Sequence, residues 1–438
     1  MHNLAIALHK KNYQVTGSDD EIFEPSRSRL ARYGLLPEAE GWFPGKIVPE
    51  LDAVILGMHA RKDNPELEKA VSLGLKIYSY PEFMYEQTKT KTRAVIGGSH
   101  GKTTITSMIM HVLKHEGKQF DYLVGSQLEG FETMAGLDDS SGCAVIEGDE
   151  YFASPLTPVP KFHLYHPHIG LISGIAWDHI NVFPTFENYA EQFTIFIQRI
   201  EAGGSLVYCE KDETLKALVQ QSERTDIEFL PYSVPKHSIR NGITYLSAHG
   251  QEYPLRVFGE HNLMNLEGAR LVCEKLGIPG EAFYKAITSF SGAARRLELV
   301  AGNDHTAVYK DFAHSPSKLS ATIHAVKQQY PDRKLIAVME LHTFSSLNKN
   351  FLAEYKDCMD EADEAIVFYS PRTVAHKKLE AISKDDIRNG FNRDDLTVTD
   401  DPAELKSLLT SFDLRDTNLL LMSSGNWGGI PVNDLFTL

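Results

Sequence analysis

Seven short apolar runs punctuate the chain: Ala53–Gly57 (AVILG), Ala94–Gly98 (AVIGG), Cys143–Glu147 (CAVIE), Ile169–Ser173 (IGLIS), Leu335–Met339 (LIAVM), Ala365–Tyr369 (AIVFY) and Leu419–Ser423 (LLLMS). Each has the length of a buried strand and is rich in β-branched residues. Helical segments lie between them. Strands alternating with helices predict an α/β protein whose parallel sheets are covered on both faces.

Polar stretches set the expected boundaries. Tyr85–Arg93 (YEQTKTKTR) separates a first α/β segment from the strand that runs into a glycine-rich loop, and Ser291–Arg296 (SGAARR) precedes a second strand-rich region. Three domains are expected, near 1–90, 91–293 and 294–438. The mixed, polar region from Asp212 to Pro254 reads as peripheral strands and loops. No internal repeat or long low-complexity tract is evident.

Bulk properties narrow the function. The chain has 438 residues, more than one core usually holds. A formal net charge of -15 argues against broad nucleic-acid binding, which needs basic surface to displace counterions. Cys143, Cys209, Cys273 and Cys358 are widely spaced and read as reduced core thiols, not as a zinc site or a disulfide framework. No apolar run reaches bilayer length, and the start MHNLAIALHKK lacks the features of a signal peptide. A cytoplasmic enzyme without a membrane partner, monomeric or weakly dimeric, is expected.

The sharpest chemical signal is Gly97-Gly98-Ser99-His100-Gly101-Lys102-Thr103-Thr104, set between the strand AVI and the helical segment TTITSMIMHVLKH. Glycines let backbone N–H groups turn inward around phosphate oxygens, and a helix N-terminus adds partial positive charge. Lys102 suits the β- and γ-phosphates of ATP, and the Thr103 hydroxyl suits Mg²⁺. Ile96 stands where the full phosphate-loop pattern has its first glycine, so the match is GxxGKT. Glu147 ends the strand CAVIE and opens Glu147-Gly148-Asp149-Glu150. A carboxylate at that place holds metal in many nucleotide hydrolases, although a solvated acidic turn has the same local pattern. Asp178-His179 follows another probable parallel strand, at the strand end where ligands gather in open α/β sheets; a lone His is otherwise usually structural. Asn262 and Asn265, in Gly259-Glu260-His261-Asn262-Leu263-Met264-Asn265, share a helical face and could read an adenine edge or simply cap a helix. Arg295-Arg296 and Asp311-Phe312-Ala313-His314-Ser315-Pro316 lie in the presumed third domain. An arginine there could reach a transferring phosphoryl group on domain closure, or could form a solvated charge pair.

In order and across essentially the whole chain, GSHGKTT, EGDE, DH, GEHNLMN, ARRLEL, DFAHSP and the terminal MSSGNWGGI resemble the landmarks of the Mur ligase family. The resemblance is strongest to the branch that uses UDP-N-acetylmuramate. It implies a Rossmann-like N-terminal domain, a central P-loop ATPase-type parallel sheet and a C-terminal Rossmann-like α/β domain. Within the branch, ARRLEL, DFAHSP and the glycine-rich ending are similar to the enzymes that add the tripeptide L-alanyl-γ-D-glutamyl-meso-diaminopimelate. The alanine-adding enzymes are the near alternative. They usually carry arginines in the segment that here reads Glu340-Leu341-His342-Thr343-Phe344-Ser345-Ser346.

The resemblance also implies roles. Gly98, Ser99, His100, Gly101, Lys102, Thr103 and Thr104 would cradle ATP. Thr103, Glu147 and His179 would hold Mg²⁺, and Asn262 and Asn265 would contact adenine. Arg296 would reach the γ-phosphate, with Asp311 on the ATP side. Ser18 and Asp19, after an expected strand, would contact the nucleotide sugar, and His314 and His342 would face the incoming amine. A carboxylate is a poor electrophile, so it would first be phosphorylated by ATP; the amine would then attack the acyl phosphate.

Some positions depart from the family. Gly174 stands where most relatives have Asn, and Lys310 replaces an acidic residue. No lysine follows the DH motif, as in the UDP-N-acetylmuramate branch. Met1–Ala5 looks like the helix that follows a first strand and a GxGG-type loop, which the N-terminal domain lacks here; the expectation is that the true start lies upstream of Met1 or that this is a truncated form. Other readings are a P-loop kinase, a folate-type polyglutamate ligase and a non-catalytic nucleotide-binding relative. The separate N-terminal α/β segment with its Gly17-Ser18-Asp19 turn argues against the folate enzymes.

Overall fold

The structure, a computed structural model, describes residues 1–177, 182–292, 296–432 and 435–436. It divides into two compact units, 1–233 with 264–287, and 234–263 with 288–438. The described residues form four sheets.

In the first unit, β1 (Val54–Leu56) and β2 (Ile77–Ser79) pair in parallel. The larger sheet contains β3 (Thr92–Gly97), β4 (Asp121–Leu123), β5 (Ala135–Gly136), β6 (Cys143–Glu147), β7 (Ile169–Ile172), β8 (Ser205–Cys209) and β9 (Glu228–Tyr232). Its strand order is β5-β4-β6-β3-β7-β8-β9, and all pairs are parallel except β4 with β5. Successive strand residues are buried regardless of the face they point to, as in Ala94-Val95-Ile96 and Ala144-Val145-Ile146. Such strands need helices on both sides. One is Lys102–His115, whose Ile105, Met108, Ile109, Val112 and Leu113 repeat at helical spacing and are fully buried. On the way into β3, the helix Tyr80–Thr88 starts with a reciprocal capping box between Ser79 and Glu82.

In the second unit, β10 (His237–Arg240), β11 (Ile243–Ala248) and β12 (Gln251–Leu255) form an antiparallel meander. The other sheet joins β13 (Glu298–Gly302), β14 (Ala307–Asp311), β15 (Lys334–Leu341), β16 (Glu364–Tyr369), β17 (Thr397–Thr399) and β18 (Thr417–Met422) in the order β13-β14-β18-β15-β16-β17. It is parallel apart from β13. Side-chain alternation divides β15 between two cores: Leu335, Ala337, Met339 and Leu341 enter one, Ile336 and Val338 the other.

The α/β class and the seven strands expected from apolar runs are present. The region 212–254 holds peripheral strands as expected, with β9 at the edge of the first unit's main sheet and β10–β12 in their own meander, but it also contains a helix, Glu213–Gln221, that was not expected. One local expectation fails. The segment before Gly17 is coil instead of a strand. A strand requires a ladder of backbone partners, and the nearest pairing is an isolated bridge of Asp19 with Gly41, beyond this segment. All four cysteines are free. Among the described residues, no helix is long and apolar enough to cross a membrane.

Candidate active site

β3 is central in its sheet, and the chain leaves its carboxyl end through the loop 97–101 into the helix Lys102–His115. The loop needs glycine at two places. Gly98 has φ +116°, and a Cβ there would lie 2.7 Å from the Ser173 backbone nitrogen. Gly101 has φ +79°, and a Cβ there would collide with the Asn265 amide. Gly101 precedes the helix without any side-chain cap, so its first N–H groups remain available to an anion. The loop is braced from β7, where Ser173 Oγ donates to Gly97 O (3.3 Å) and to His100 O. Ser99 is buried; its Oγ accepts from Ala176 N (2.8 Å) and pairs with Tyr189 Oη (2.9 Å).

Lys102 folds back under the loop. Its Nζ donates to Gly98 O (2.6 Å) and to both carboxylate oxygens of Glu150 (2.8 Å each). Burial alone would lower the pKa of this ammonium, but Glu150, Asp149 and Glu147 outweigh it and raise the pKa. Thr103 Oγ1 donates to Glu147 Oε1 (2.8 Å), and Gly125 N donates to Glu147 Oε2 (2.6 Å). Burial pushes the Glu147 carboxyl above its ordinary range, against the pull of the Gly125 amide, Lys102 and the Thr103 hydroxyl. Asp149 is partly exposed; desolvation pulls its pKa up, yet its salt bridge to Lys161 (2.6 Å) carries it below the usual value.

Loop, lysine, hydroxyl and carboxylate thus meet at the carboxyl ends of β3 and β6. A helix start without a side-chain cap, next to a lysine, fits a polyphosphate. A hydroxyl 2.8 Å from a carboxylate fits a magnesium ion, which takes oxygen ligands and keeps several waters. Among the described residues, no three His, Cys, Asp or Glu side chains converge as a ready-made metal cage. His179, expected as a metal ligand, lies outside the described residues, as does its neighbour Asp178.

The other expected residues are divided between the two units. Asn265 packs against Gly101 in the first unit, whereas Asn262 belongs to the second and donates to Phe258 O (2.9 Å), a local bond at the start of the helix Glu260–Lys275. In the second unit the Arg296 guanidinium lies 4.9 Å from the Phe312 ring centroid. Buried Asp311 accepts from Leu297 N and Ala313 N (2.7 Å each); burial raises its pKa despite Arg296 and these amides. His314 Nδ1 pairs with Phe312 O (2.7 Å), and His342 Nδ1 lies 3.8 Å from Glu340 Oε1. Ser18 accepts from Lys46 Nζ (3.4 Å), and Asp19 is exposed.

Several residues escaped sequence reading. Glu150 lay in the quoted EGDE motif without a role. Gly125 and Tyr189 carry no motif at all. Glu340 is buried in the second unit, where its Oε2 accepts from Trp427 N (2.9 Å) and Ser423 Oγ. Its partners come from the terminal MSSGNWGGI, so a carboxylate facing that motif was the available clue.

Comparison with known proteins decides the family. The profile of the Mur ligase middle domain matches residues 96–273, and that of the Mur ligase, glutamate ligase domain matches 295–425. A UDP-N-acetylmuramate–L-alanine ligase from Mycobacterium marinum (strain ATCC BAA-535 / M) is 30% identical over 395 residues, covering 84% of this chain and 78% of that protein. The chain belongs to the Mur ligase family. Another relative of the same name, from Lactobacillus acidophilus, is 29% identical over 388 residues, covering 84% of this chain and 82% of its own length. Among solved structures, a murein peptide ligase from Psychrobacter arcticus aligns with 100% of this Mur ligase and 97% of its own chain at TM-score 0.64 and 21% identity. A UDP-N-acetylmuramate-alanine ligase from Thermotoga maritima aligns with 97% and 94% at TM-score 0.69 and 20% identity. These two establish likeness of fold. As a Mur ligase, the protein is an ATP-dependent ligase that forms C–N bonds in peptidoglycan synthesis.

Proposed function

We propose that this Mur ligase joins the carboxylate of UDP-N-acetylmuramate to the amino group of L-alanine. The observation that carries the ligase chemistry is the convergence of Lys102, Thr103 and Glu147 on one phosphate-type loop. The acceptor rests on the relatives at 29–30% identity, which are named for L-alanine. In this reading, residues 1–90 serve the UDP-sugar, 91–293 the nucleotide and 294–438 the acceptor. Mg²⁺·ATP supplies the phosphoryl group that turns the carboxylate into an electrophile. Lys102 and the loop amides orient the phosphates and spread their charge, while Thr103 and Glu147 hold the metal's side of the site. The reading also places Arg296 and Asp311 on the nucleotide side, and His314 and His342 on the amine side.

The tripeptide L-alanyl-γ-D-glutamyl-meso-diaminopimelate is a second reading, favoured by the surface after β15. The segment Glu340–Ser346 has no arginine, Phe344 is 60% exposed, and Lys377 Nζ lies 4.3 Å from its ring centroid. An open ring with a cation over it offers a longer, anionic acceptor both apolar contact and a counter-charge. Phosphate release with UDP-N-acetylmuramate and ATP, compared between L-alanine and the tripeptide, separates the two. Release stimulated mainly by alanine supports the first reading, and release stimulated mainly by the tripeptide replaces it with the second. No stimulation by either acceptor overturns both.

A further inference from the structure

The Lys102 ammonium has no donor to spare. An ammonium carries three N–H bonds. Here three acceptors lie within hydrogen-bond reach: Gly98 O and the two oxygens of Glu150. Glu150 itself is fully buried, and its backbone position is fixed by the turn before it. Gly148 N donates to Ile96 O (2.8 Å), and a Cβ on Gly148 would stand 2.9 Å from Phe162 Cβ and 3.0 Å from Val95 Cγ1. Tyr151 O then accepts from Lys161 N (2.9 Å), on the far side of Glu150. The carboxylate is therefore held in place against the lysine.

A triphosphate meets this arrangement with a conflict. Its terminal oxygens need the Lys102 donors that Glu150 holds, and they carry the same sign of charge as Glu150. The conflict falls on the outer phosphates, because those are the ones a lysine at this place on the loop contacts. From this geometry we infer that Glu150 is a positioning residue: it holds Lys102 in the nucleotide-free enzyme and is the acceptor that an incoming β- or γ-phosphate displaces. The inference rests on the nucleotide-site reading of the loop. In the alternative, Glu150 is only a structural counter-ion, and nucleotide leaves the ion pair intact.

The two roles differ in the sign of one measurement. The full chain and its E150Q variant are titrated calorimetrically, with magnesium present, against the non-hydrolysable ATP analogue AMP-PCP and against AMP. The glutamine keeps the shape of the side chain but removes the competing charge. E150Q is expected to bind AMP-PCP on the order of tenfold more tightly, since one charge-assisted hydrogen bond no longer has to be broken. AMP lacks the outer phosphates, so its affinity should not change. Unchanged or weaker AMP-PCP binding overturns the inference, and so does an equal tightening for AMP. If E150Q does not fold, E150D keeps the charge one methylene further from the lysine. It should tighten AMP-PCP binding by a few-fold, and failure to do so is equally decisive. Wild-type protein that binds no AMP-PCP would refute the nucleotide site itself, a result distinct from any variant effect.

Discussion

The two parallel sheets place a carboxylate at comparable positions but use it differently. Glu147 closes β6 in the first unit, and Glu340 stands one residue before the end of β15 in the second. Glu147 is met by the Gly125 amide and the Thr103 hydroxyl, and the hydroxyl can be turned to a ligand. Glu340 receives the Trp427 amide and the Ser423 hydroxyl, both from the glycine-rich terminal loop; Gly425 packs so closely that a Cβ would lie 2.8 Å from Glu340 Oε2 and 2.6 Å from His342 Nδ1. The first carboxylate has a partner it can exchange, and the second ties down a loop. A carboxylate at the end of a parallel strand therefore acquires its role from the replaceability of its partners, not from its topological position.

The sharpest way to break this contrast is K102A. Loss of the phosphate-facing charge should lower kcat for ADP release by roughly a thousandfold, as for loss of a major transition-state donor. If turnover survives within tenfold, the first site is not the catalytic one. Next in size is E340A, which leaves the Trp427 amide and the Ser423 hydroxyl without their acceptor. Urea unfolding should show a loss of about 3 kcal/mol, and the acceptor KM should rise more than the ATP KM. An ATP-centred defect would erase the distinction between the two carboxylates. G125A should cost about 2 kcal/mol, because its Cβ would lie 2.6 Å from Glu147 Oε1. G142A, with nothing within 4 Å of the added atom, is the matched control and should change stability by under about 0.5 kcal/mol.

The smallest effect is a pH slope. Burial raises the Glu147 pKa above its ordinary, unfolded value of about 4.3. Between that value and the folded one, the native protein keeps a proton that the unfolded chain releases. Glu147 then makes stability fall as pH rises through this window. In nucleotide-free protein, E147Q should flatten that part of the profile of melting temperature against pH while abolishing turnover. An unchanged profile would mean that Glu147 is not held as described.

Much of this was legible in the sequence because burial on both faces demands continuous apolar runs. Each of the seven runs became a strand, and the glycine-lysine-threonine sequence between β3 and its helix specified the loop. Spacing could not tell which of Glu147, Asp149 and Glu150 turns back to Lys102, since that depends on how Gly148 packs against Val95 and Phe162. Edge strands were harder to read. β9 carries Pro231 and exposed residues, so its apolar pattern is broken; the peripheral reading of 212–254 fits an edge strand but misses the helix Glu213–Gln221. The segment before Gly17 has the composition of a strand but lacks a ladder of partners. The acceptor was least legible, because the sequence motifs point to a tripeptide and the relatives' names to alanine.

The sheet order also bears on how the protein is made. The phosphate loop hangs from β3, whose flanking strands β6 and β7 lie downstream: Thr92 pairs with Cys143, and Ala94 with Ile169. On the ribosome, β3 emerges with both edges bare and waits for roughly 75 further residues before its second edge can be closed, about 4–15 s at ordinary elongation rates. During that interval the apolar run Ala94-Val95-Ile96 is open to any passing strand, and a chain cut short before Ile169 would carry the nucleotide loop on an unfinished, adhesive edge.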